Sequence, residues 1–227
     1  PGDVVLVPAP GYPTYSMGAL LAGGEVYPLP LREENDFLPD LEAVPAEVLR
    51  RAKLLWLSYP NNPTTGLAPL AFFEQAVDFA RRHNVLLCHD NPYADVTFDG
   101  YVAPSILQGP GAKEVAVEFN SLSKLYNMGG WRVGMVVGNA EALGHLARLK
   151  SNIDTALFIS IQEAAVAALN GDQSWLQARN AVYRERRDIV IEGLRAAGLA
   201  ARVPQATMYV WARIPDGQTS AGFASRL

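Results

Sequence analysis

The chain has 227 residues, of which 49% are hydrophobic, 19% charged and 9% aromatic, and its formal net charge is -4. This balance is typical of a globular protein with room for one large domain and part of a second. No block rich in lysine and arginine interleaves with aromatic residues, which excludes the usual footprint of a nucleic-acid partner. No apolar stretch approaches the ~18 residues of a spanning helix and no export signal is visible. With a single cysteine, Cys88, the sequence predicts a cytoplasmic protein without a membrane partner.

Short apolar runs bounded by glycine, proline or asparagine alternate with longer amphipathic stretches along the first part of the chain. This alternation predicts an α/β fold, a mostly parallel sheet sandwiched by helices. Between the second and third runs, apolar residues at helical spacing predict a crossover helix over residues 69–82, with Pro69 at its first position. The five predicted strands span residues 4–7, 54–57, 85–88, 115–119 and 133–137.

The second part of the chain reads differently. Residues 141–169 and 172–197 each predict one long helix, with the break near Asn170 and Gly171. After Gly198, β-branched and aromatic residues over 208–211 predict a strand that begins a smaller domain. We therefore predict a large domain over 1–170 and the start of a small α+β domain over 171–227, both incomplete, because the chain opens directly on a strand and closes in mid-helix.

The usual sequence signals of a P-loop, a zincin and a serine hydrolase are absent, and the histidines share no metal-ligand spacing, so we predict no metal site. Polar groups instead follow the predicted strands, at the edge where an open α/β sheet binds ligands. Taken singly, each has an ordinary structural explanation: Asn62 as a turn residue, Asp90 as a cap, Lys124 as a surface ammonium and Tyr12 as a core aromatic. Pyridoxal phosphate requires such a combination: an amine nucleophile, a carboxylate and several hydrogen-bond donors that bind an anion.

The run Ser121-Leu122-Ser123-Lys124, with Arg132 eight residues further on, resembles the motif of the pyridoxal-phosphate enzymes of fold type I, specifically the class I/II aminotransferases. The resemblance implies pyridoxal 5'-phosphate bound covalently to Lys124, with Asp90 paired to its pyridine nitrogen. It also implies that Ser121 and Arg132 bind the phosphate, with Ser123 as a second hydroxyl.

The resemblance extends to two loops closer to the N-terminus. Tyr12 matches the aromatic residue that stacks on the cofactor ring. Tyr93 and Asn62 match the pair that hydrogen-bonds the ring oxygen, with Asn62 also near the substrate carboxylate. The loop after Asn62 has one residue more than the commonest Asn-Pro-Thr-Gly form, which shifts the glycine to Gly66.

The resemblance implies an aminotransferase that moves an amino group between an amino acid and a 2-oxo acid by a ping-pong mechanism, in a homodimer. Stretches at 99–101, 110–115, 121–127 and 150–154 look most like LL-diaminopimelate aminotransferases of lysine biosynthesis. Two other functions stay open: a pyridoxal-phosphate-dependent β-elimination lyase, and a non-catalytic ligand-sensing domain of a regulator. The 227 residues also lack the family's N-terminal phosphate loop and C-terminal substrate-binding arginine, so alone they are expected to be inactive.

Overall fold

A computed structural model of the protein describes residues 2–226 and contains one six-stranded sheet. The strands lie in the order β2-β1-β3-β4-β5-β6, and neighbours run parallel except β5 and β6, which are antiparallel. The predicted α/β fold with a mostly parallel sheet is therefore confirmed. The strands are β1 (Val4–Ala9), β2 (Glu25–Pro30), β3 (Ala52–Ser58), β4 (Leu86–Asp90), β5 (Ala116–Ser121) and β6 (Gly134–Gly138).

Helices connect the strands and continue beyond the sheet. The helices are α1 (Pro13–Leu21), α2 (Ala46–Leu49), α3 (Leu70–His83), α4 (Ala112–Val115), α5 (Leu122–Leu125), α6 (Ala140–Ile153), α7 (Ile159–Asn170), α8 (Trp175–Ala196) and α9 (Ser220–Ala224).

The two faces of the sheet are covered by different helices. Because successive side chains of a strand point to opposite faces, Leu6 of β1 joins the core under α3 whereas Val7 packs against α1. The α3 side holds the larger core, in which Phe73 is fully buried and contributes about 2–3 kcal/mol through burial alone. Helices thus pack against both faces of the sheet.

The predicted helices are confirmed with two corrections. Pro69 is the N-cap of α3 with an extended backbone rather than its first helical residue, which is Leu70. The single helix expected over 141–169 is wrong, since it is divided into α6 and α7. Asp154, a residue of low helix propensity, ends α6 in an extended conformation.

Two strand predictions also need correction. The sequence reasoning missed β2, whose prolines Pro28 and Pro30 are tolerated because this strand is at the sheet edge and pairs with β1 alone. The strand expected over 208–211 is wrong: among residues 2–226, this segment belongs to no strand. Thr207 has a φ of 74°, which breaks the extended run, and its hydroxyl accepts the Tyr209 amide. The predicted domain boundary near residue 171 stays a prediction.

Within residues 2–226, every helix is too short or too polar to cross a membrane. The same residues contain no group of three or more His, Cys, Asp or Glu side chains placed to hold a metal ion.

Candidate active site

All eight predicted site residues lie at the end of the sheet where its parallel strands terminate. The parallel strands β1, β3, β4 and β5 end there, and the antiparallel strand β6 begins there. The strand register joins these ends directly: Ser58 pairs with Asp90, Asp90 with Phe119, and Ser121 with Gly134. The sequence-predicted residues Tyr12, Asn62, Asp90, Tyr93, Ser121, Ser123, Lys124 and Arg132 are therefore gathered at or just beyond this edge.

Asp90, the last residue of β4, is a half-buried carboxylate with one phenolic donor. Tyr15 of α1 donates its hydroxyl to Asp90 Oδ2 at 2.5 Å. Burial raises the pKa of Asp90, while the Tyr15 hydrogen bond and the neighbouring His89 lower it. Burial and Asp90 together raise the pKa of Tyr15, so this phenol stays protonated. Sequence reasoning missed Tyr15, although its helical spacing from Tyr12 placed both on one side of α1.

A row of aromatic rings lies on the same face of the sheet as Asp90. Tyr15 stacks on Trp56 with ring centroids 4.7 Å apart, and Trp56 contacts Phe119 at 5.3 Å. Tyr12 meets Tyr15 edge-on at 5.9 Å and is 48% exposed. The Tyr12 ring is thus held by its neighbour but keeps surface free to stack on a flat ligand.

The loop after β3 contains two adjacent asparagines in different environments. Asn61 is fully buried, donates to the Ser58 carbonyl at 3.0 Å and accepts from the amide and hydroxyl of Thr64. Asn62 is half-buried, and in the described part of the chain its side chain makes no hydrogen bond. Asn61 therefore builds the loop, and Asn62 has its amide available to a ligand.

Lys124 lies in the short helix α5, between the buried side chains Leu122 and Leu125. The Ser121 hydroxyl caps this helix by accepting the Ser123 amide at 3.1 Å. Lys124 is half-buried, and its ammonium makes no hydrogen bond or ion pair with any residue from 2 to 226. The lysine is thus held by its backbone with its amine unengaged.

Arg179 of α8 secures the other end of α5. Its guanidinium donates to the main-chain oxygens of Lys124, at 3.2 Å, and of Leu125, and to that of Asp95 at 2.7 Å. Arg179 is buried, so these carbonyls give its donors partners away from water. Nothing in the local sequence distinguished Arg179 from the surface arginines of α8.

The remaining predicted groups also have usable donors. Arg132 is exposed, has a φ of 54° and donates to the Gly129 carbonyl at 2.9 Å. Among the described residues it has no acidic partner, so the rest of its guanidinium is available to an anion. The Tyr93 hydroxyl pairs with that of Tyr209 at 2.8 Å, and burial raises the Tyr93 pKa. Tyr209 was not predicted as a site residue.

These groups fit pyridoxal phosphate by their chemistry. Asp90 accepts one hydrogen bond from Tyr15 and keeps further acceptor capacity for a protonated ring nitrogen. Lys124 supplies an amine, and Ser121, Ser123 and Arg132 supply donors for a phosphate dianion. The end of the sheet thus has a carboxylate at the end of β4 and the Lys124 amine, two hydroxyls and a guanidinium around the β5–β6 connection.

The chain matches the model of the family described as aminotransferase class I and II over residues 1–225. The chain belongs to this family. The predicted resemblance is thereby confirmed, as is pyridoxal phosphate as the cofactor of the family.

Curated aminotransferases are among the most similar proteins. The LL-diaminopimelate aminotransferase of Moorella thermoacetica is 55% identical over 224 residues, which are 99% of this chain and 57% of that protein. The LL-diaminopimelate aminotransferase of Gloeobacter violaceus is 55% identical over 215 residues, 95% of this chain and 55% of that protein. The chain thus spans little more than half the length of these relatives.

Solved structures superpose closely on the chain. Substrate-bound BacF from Bacillus subtilis has a TM-score of 0.95 and 41% sequence identity. The match covers 100% of this chain and 58% of the BacF chain. A probable N-succinyldiaminopimelate aminotransferase from Thermus thermophilus has a TM-score of 0.93 and 44% sequence identity. The match covers 100% of this chain and 60% of the Thermus chain. The expected aminotransferase fold is confirmed by these similarities.

Proposed function

We propose that this chain forms the cofactor-binding part of a pyridoxal-phosphate-dependent aminotransferase that acts on LL-diaminopimelate and 2-oxoglutarate. The observation that supports it most is the placement of Asp90 and Lys124 just beyond neighbouring strands β4 and β5, at one edge of the sheet. The names and identities of the relatives support the substrate pair. A homodimer, a cytoplasmic location and the division into 1–170 and 171–227 are part of the proposal.

When bound, pyridoxal phosphate supplies an electron sink that weakens the Cα–H bond of an attached amino acid. Asp90 would accept a hydrogen bond from the protonated ring nitrogen of the cofactor and so stabilise the positive charge on that nitrogen. Tyr15 holds the carboxylate in place through its 2.5 Å hydrogen bond. Tyr93 and Asn62 bind the ring oxygen, with Asn62 reaching the substrate carboxylate, and Tyr12 stacks on the ring face.

Lys124 has two roles in this scheme. Its Nζ would hold the cofactor covalently, and once the amino substrate had displaced it, the free amine would remove the Cα proton of the substrate and return it as a general acid. Ser121, Ser123 and Arg132 would bind the phosphate and keep the ring in place while Lys124 moves the proton. Water would release the keto acid product, and a second keto acid would then accept the amino group.

Reduction with borohydride tests the lysine assignment. The protein is incubated with pyridoxal phosphate, reduced, digested and mapped by mass spectrometry, and we expect the phosphopyridoxyl group on Lys124. Lys124→Ala should lose the adduct completely, whereas Lys150→Ala, which removes an exposed lysine of α6, should keep it. An adduct on another lysine, or none, contradicts the proposal.

The reaction type has its own test. LL-diaminopimelate with 2-oxoglutarate should yield glutamate, and omission of 2-oxoglutarate should stop turnover after the cofactor is aminated. An S-substituted cysteine, which has a leaving group on its β-carbon, separates the alternative: release of a thiol, pyruvate and ammonia without any added keto acid would instead establish the β-elimination lyase. In a protein that also contains the family's N-terminal phosphate loop and C-terminal substrate-binding arginine, cofactor binding without any turnover would favour the ligand-sensing domain.

A further inference from the structure

His89 precedes Asp90 in β4 but lies on the opposite face of the sheet. Its side chain is fully buried, and its ring meets Phe73 of α3 with centroids 4.7 Å apart. Asp90 instead faces α1, where Tyr15 binds it. The two residues are therefore linked through one peptide unit, with one side chain in the α3 core and the other at the candidate site.

Both ring nitrogens of His89 have partners that accept hydrogen bonds. Nε2 lies 3.1 Å from the main-chain oxygen of Tyr59, and a carbonyl oxygen can only accept. Nδ1 lies 3.0 Å from Oε2 of Glu118 in β5. A neutral imidazole has one N–H, so it could satisfy both contacts only if Glu118 supplied a proton.

Glu118 is surrounded by donors and is therefore an ionised acceptor. Its Oε2 also accepts from the Ser105 hydroxyl at 2.7 Å and the Ile106 amide at 3.1 Å, and its Oε1 accepts from Asn120 Nδ2 at 3.1 Å. Burial raises the pKa of Glu118, whereas the hydrogen bonds that Ser105 and Asn120 donate to it lower the pKa independently of the protonation state of His89. The carboxylate has no proton to share with His89.

We propose that His89 carries protons on both ring nitrogens at neutral pH, and that this buried imidazolium is a positioning residue for Asp90. The first part stands on hydrogen-bond geometry; the second rests on the proposed function, which gives Asp90 its role. By binding the Tyr59 carbonyl and Glu118, His89 fixes the end of β4 between the ends of β3 and β5. Asp90, the next residue, is fixed with it.

The charge of His89 has a second consequence at Asp90. Burial disfavours the Asp90 carboxylate, and the positive charge of His89 opposes that effect. Tyr15 from α1 and Tyr93 from the following loop also lie near this carboxylate, and burial raises the pKa of both, so they face it as neutral phenols. The imidazolium thus adds to the Tyr15 hydrogen bond in favouring the ionised form of Asp90 against burial, which raises its pKa.

Nitrogen-15 NMR of histidine-labelled protein at pH 7.5, without cofactor, tests the protonation state. Loss of one signal set in His89→Gln assigns His89, and the exposed His145 provides an internal reference. We expect both His89 ring nitrogens to show the shifts of protonated nitrogens, and Glu118→Gln to convert the ring to a neutral tautomer. A neutral His89 ring in the wild-type protein overturns the proposal, whether or not the variants fold.

The effect on Asp90 is read from carbon-13 NMR of its side-chain carboxyl during a pH titration, again without cofactor. The Asp90 midpoint should move to higher pH in His89→Gln and stay unchanged in His145→Gln. A merely structural role for His89 would leave the midpoint in place, and that result overturns the positioning role. Failure of the borohydride test with an intact His89 result would instead reject the proposed function alone.

Discussion

The polar groups at the edge of the sheet differ between its two halves. Around the ends of β3 and β4, the side chains of Asn61, His89 and Glu118 are buried and hydrogen-bonded within the chain. Around the β5–β6 connection, Lys124 and Arg132 are half-buried or exposed, and within residues 2–226 they have no side-chain partner of opposite charge. The three buried groups use their hydrogen bonds within the protein, whereas Lys124 and Arg132 keep theirs for a ligand.

This difference separates stability from binding. A buried polar group left without its partner costs about 1–3 kcal/mol, whereas removal of an exposed side chain costs within about 0.5 kcal/mol. Substitutions of the buried, paired groups Asn61, His89 and Glu118 should therefore lower the free energy of unfolding. Substitutions in the β5–β6 half should change cofactor binding and leave the free energy of unfolding unchanged.

Acid should destabilise the protein through Glu118. Its pKa is about 2 in the folded protein against 4.5 as the ordinary value, so its contribution is complete above pH ~4.5 and is lost as the pH falls toward 2. The loss is on the order of 3 kcal/mol. Denaturant unfolding between pH 2 and 6 measures it, and Glu118→Gln should flatten the curve over this range. An equally steep curve in the variant would contradict the assignment.

The adjacent asparagines offer a matched pair. Asn61→Ala removes three hydrogen bonds inside a buried loop and should lower the free energy of unfolding by about 2 kcal/mol. Asn62→Ala removes none within the described part of the chain and should change it by less than about 0.5 kcal/mol while weakening substrate binding. Urea unfolding of the two variants compares them. Equal losses at both positions would contradict the distinction between buried, paired groups and groups that are available to a ligand.

Arg132→Ala should act on the cofactor and leave the fold intact. A charge-assisted hydrogen bond contributes about 1.5–3 kcal/mol, so cofactor affinity should fall about 10- to 100-fold. Equilibrium dialysis with pyridoxal phosphate measures the affinity, and thermal unfolding without cofactor should be unchanged. Arg148→Ala, an exposed arginine of α6, should change neither quantity. Unaltered retention in Arg132→Ala would exclude the phosphate role.

The two halves also differ in what the sequence could predict. Lys124 and Arg132 stand in a compact motif next to strands whose apolar runs are unmistakable, so their position at the sheet edge followed from the α/β alternation. His89 and Glu118 pair across 29 positions of the chain. Such a pair depends on the register of β4 and β5, which no local pattern reports.

The fold shows the same limit. Strands with continuous apolar runs were predicted within a few residues, whereas β2, with two prolines and an exposed edge, lacks that signal. The strand expected at 208–211 failed because residue propensity does not report the positive φ of Thr207 just before it. The local sequence was enough to predict the ligand-facing groups Lys124 and Arg132. The buried pair His89 and Glu118 depends on tertiary contacts that the local sequence does not show.

Substitution of Thr65, in the loop that contains Asn62, has the smallest expected effect on stability. Thr65 has a φ of 63°, a region that costs a β-branched residue about 1–2 kcal/mol, and the described structure gives its hydroxyl no hydrogen bond. Thr65→Gly relieves this cost but adds about 0.5–1 kcal/mol of backbone entropy to the unfolded chain, so a net stabilisation of about 0.5 kcal/mol is expected.

Thr64→Gly is the matched control, because the Thr64 hydroxyl donates to Asn61 at 2.6 Å and accepts the Gly66 amide at 3.2 Å. Thermal unfolding should show a small rise for Thr65→Gly and a clear fall for Thr64→Gly. A fall of similar size in both would mean that the buried Thr65 side chain contributes more through packing than its backbone conformation costs. Both Thr64 and Thr65 would then stabilise the loop, and Thr65 would belong with the buried groups that contribute to the free energy of unfolding.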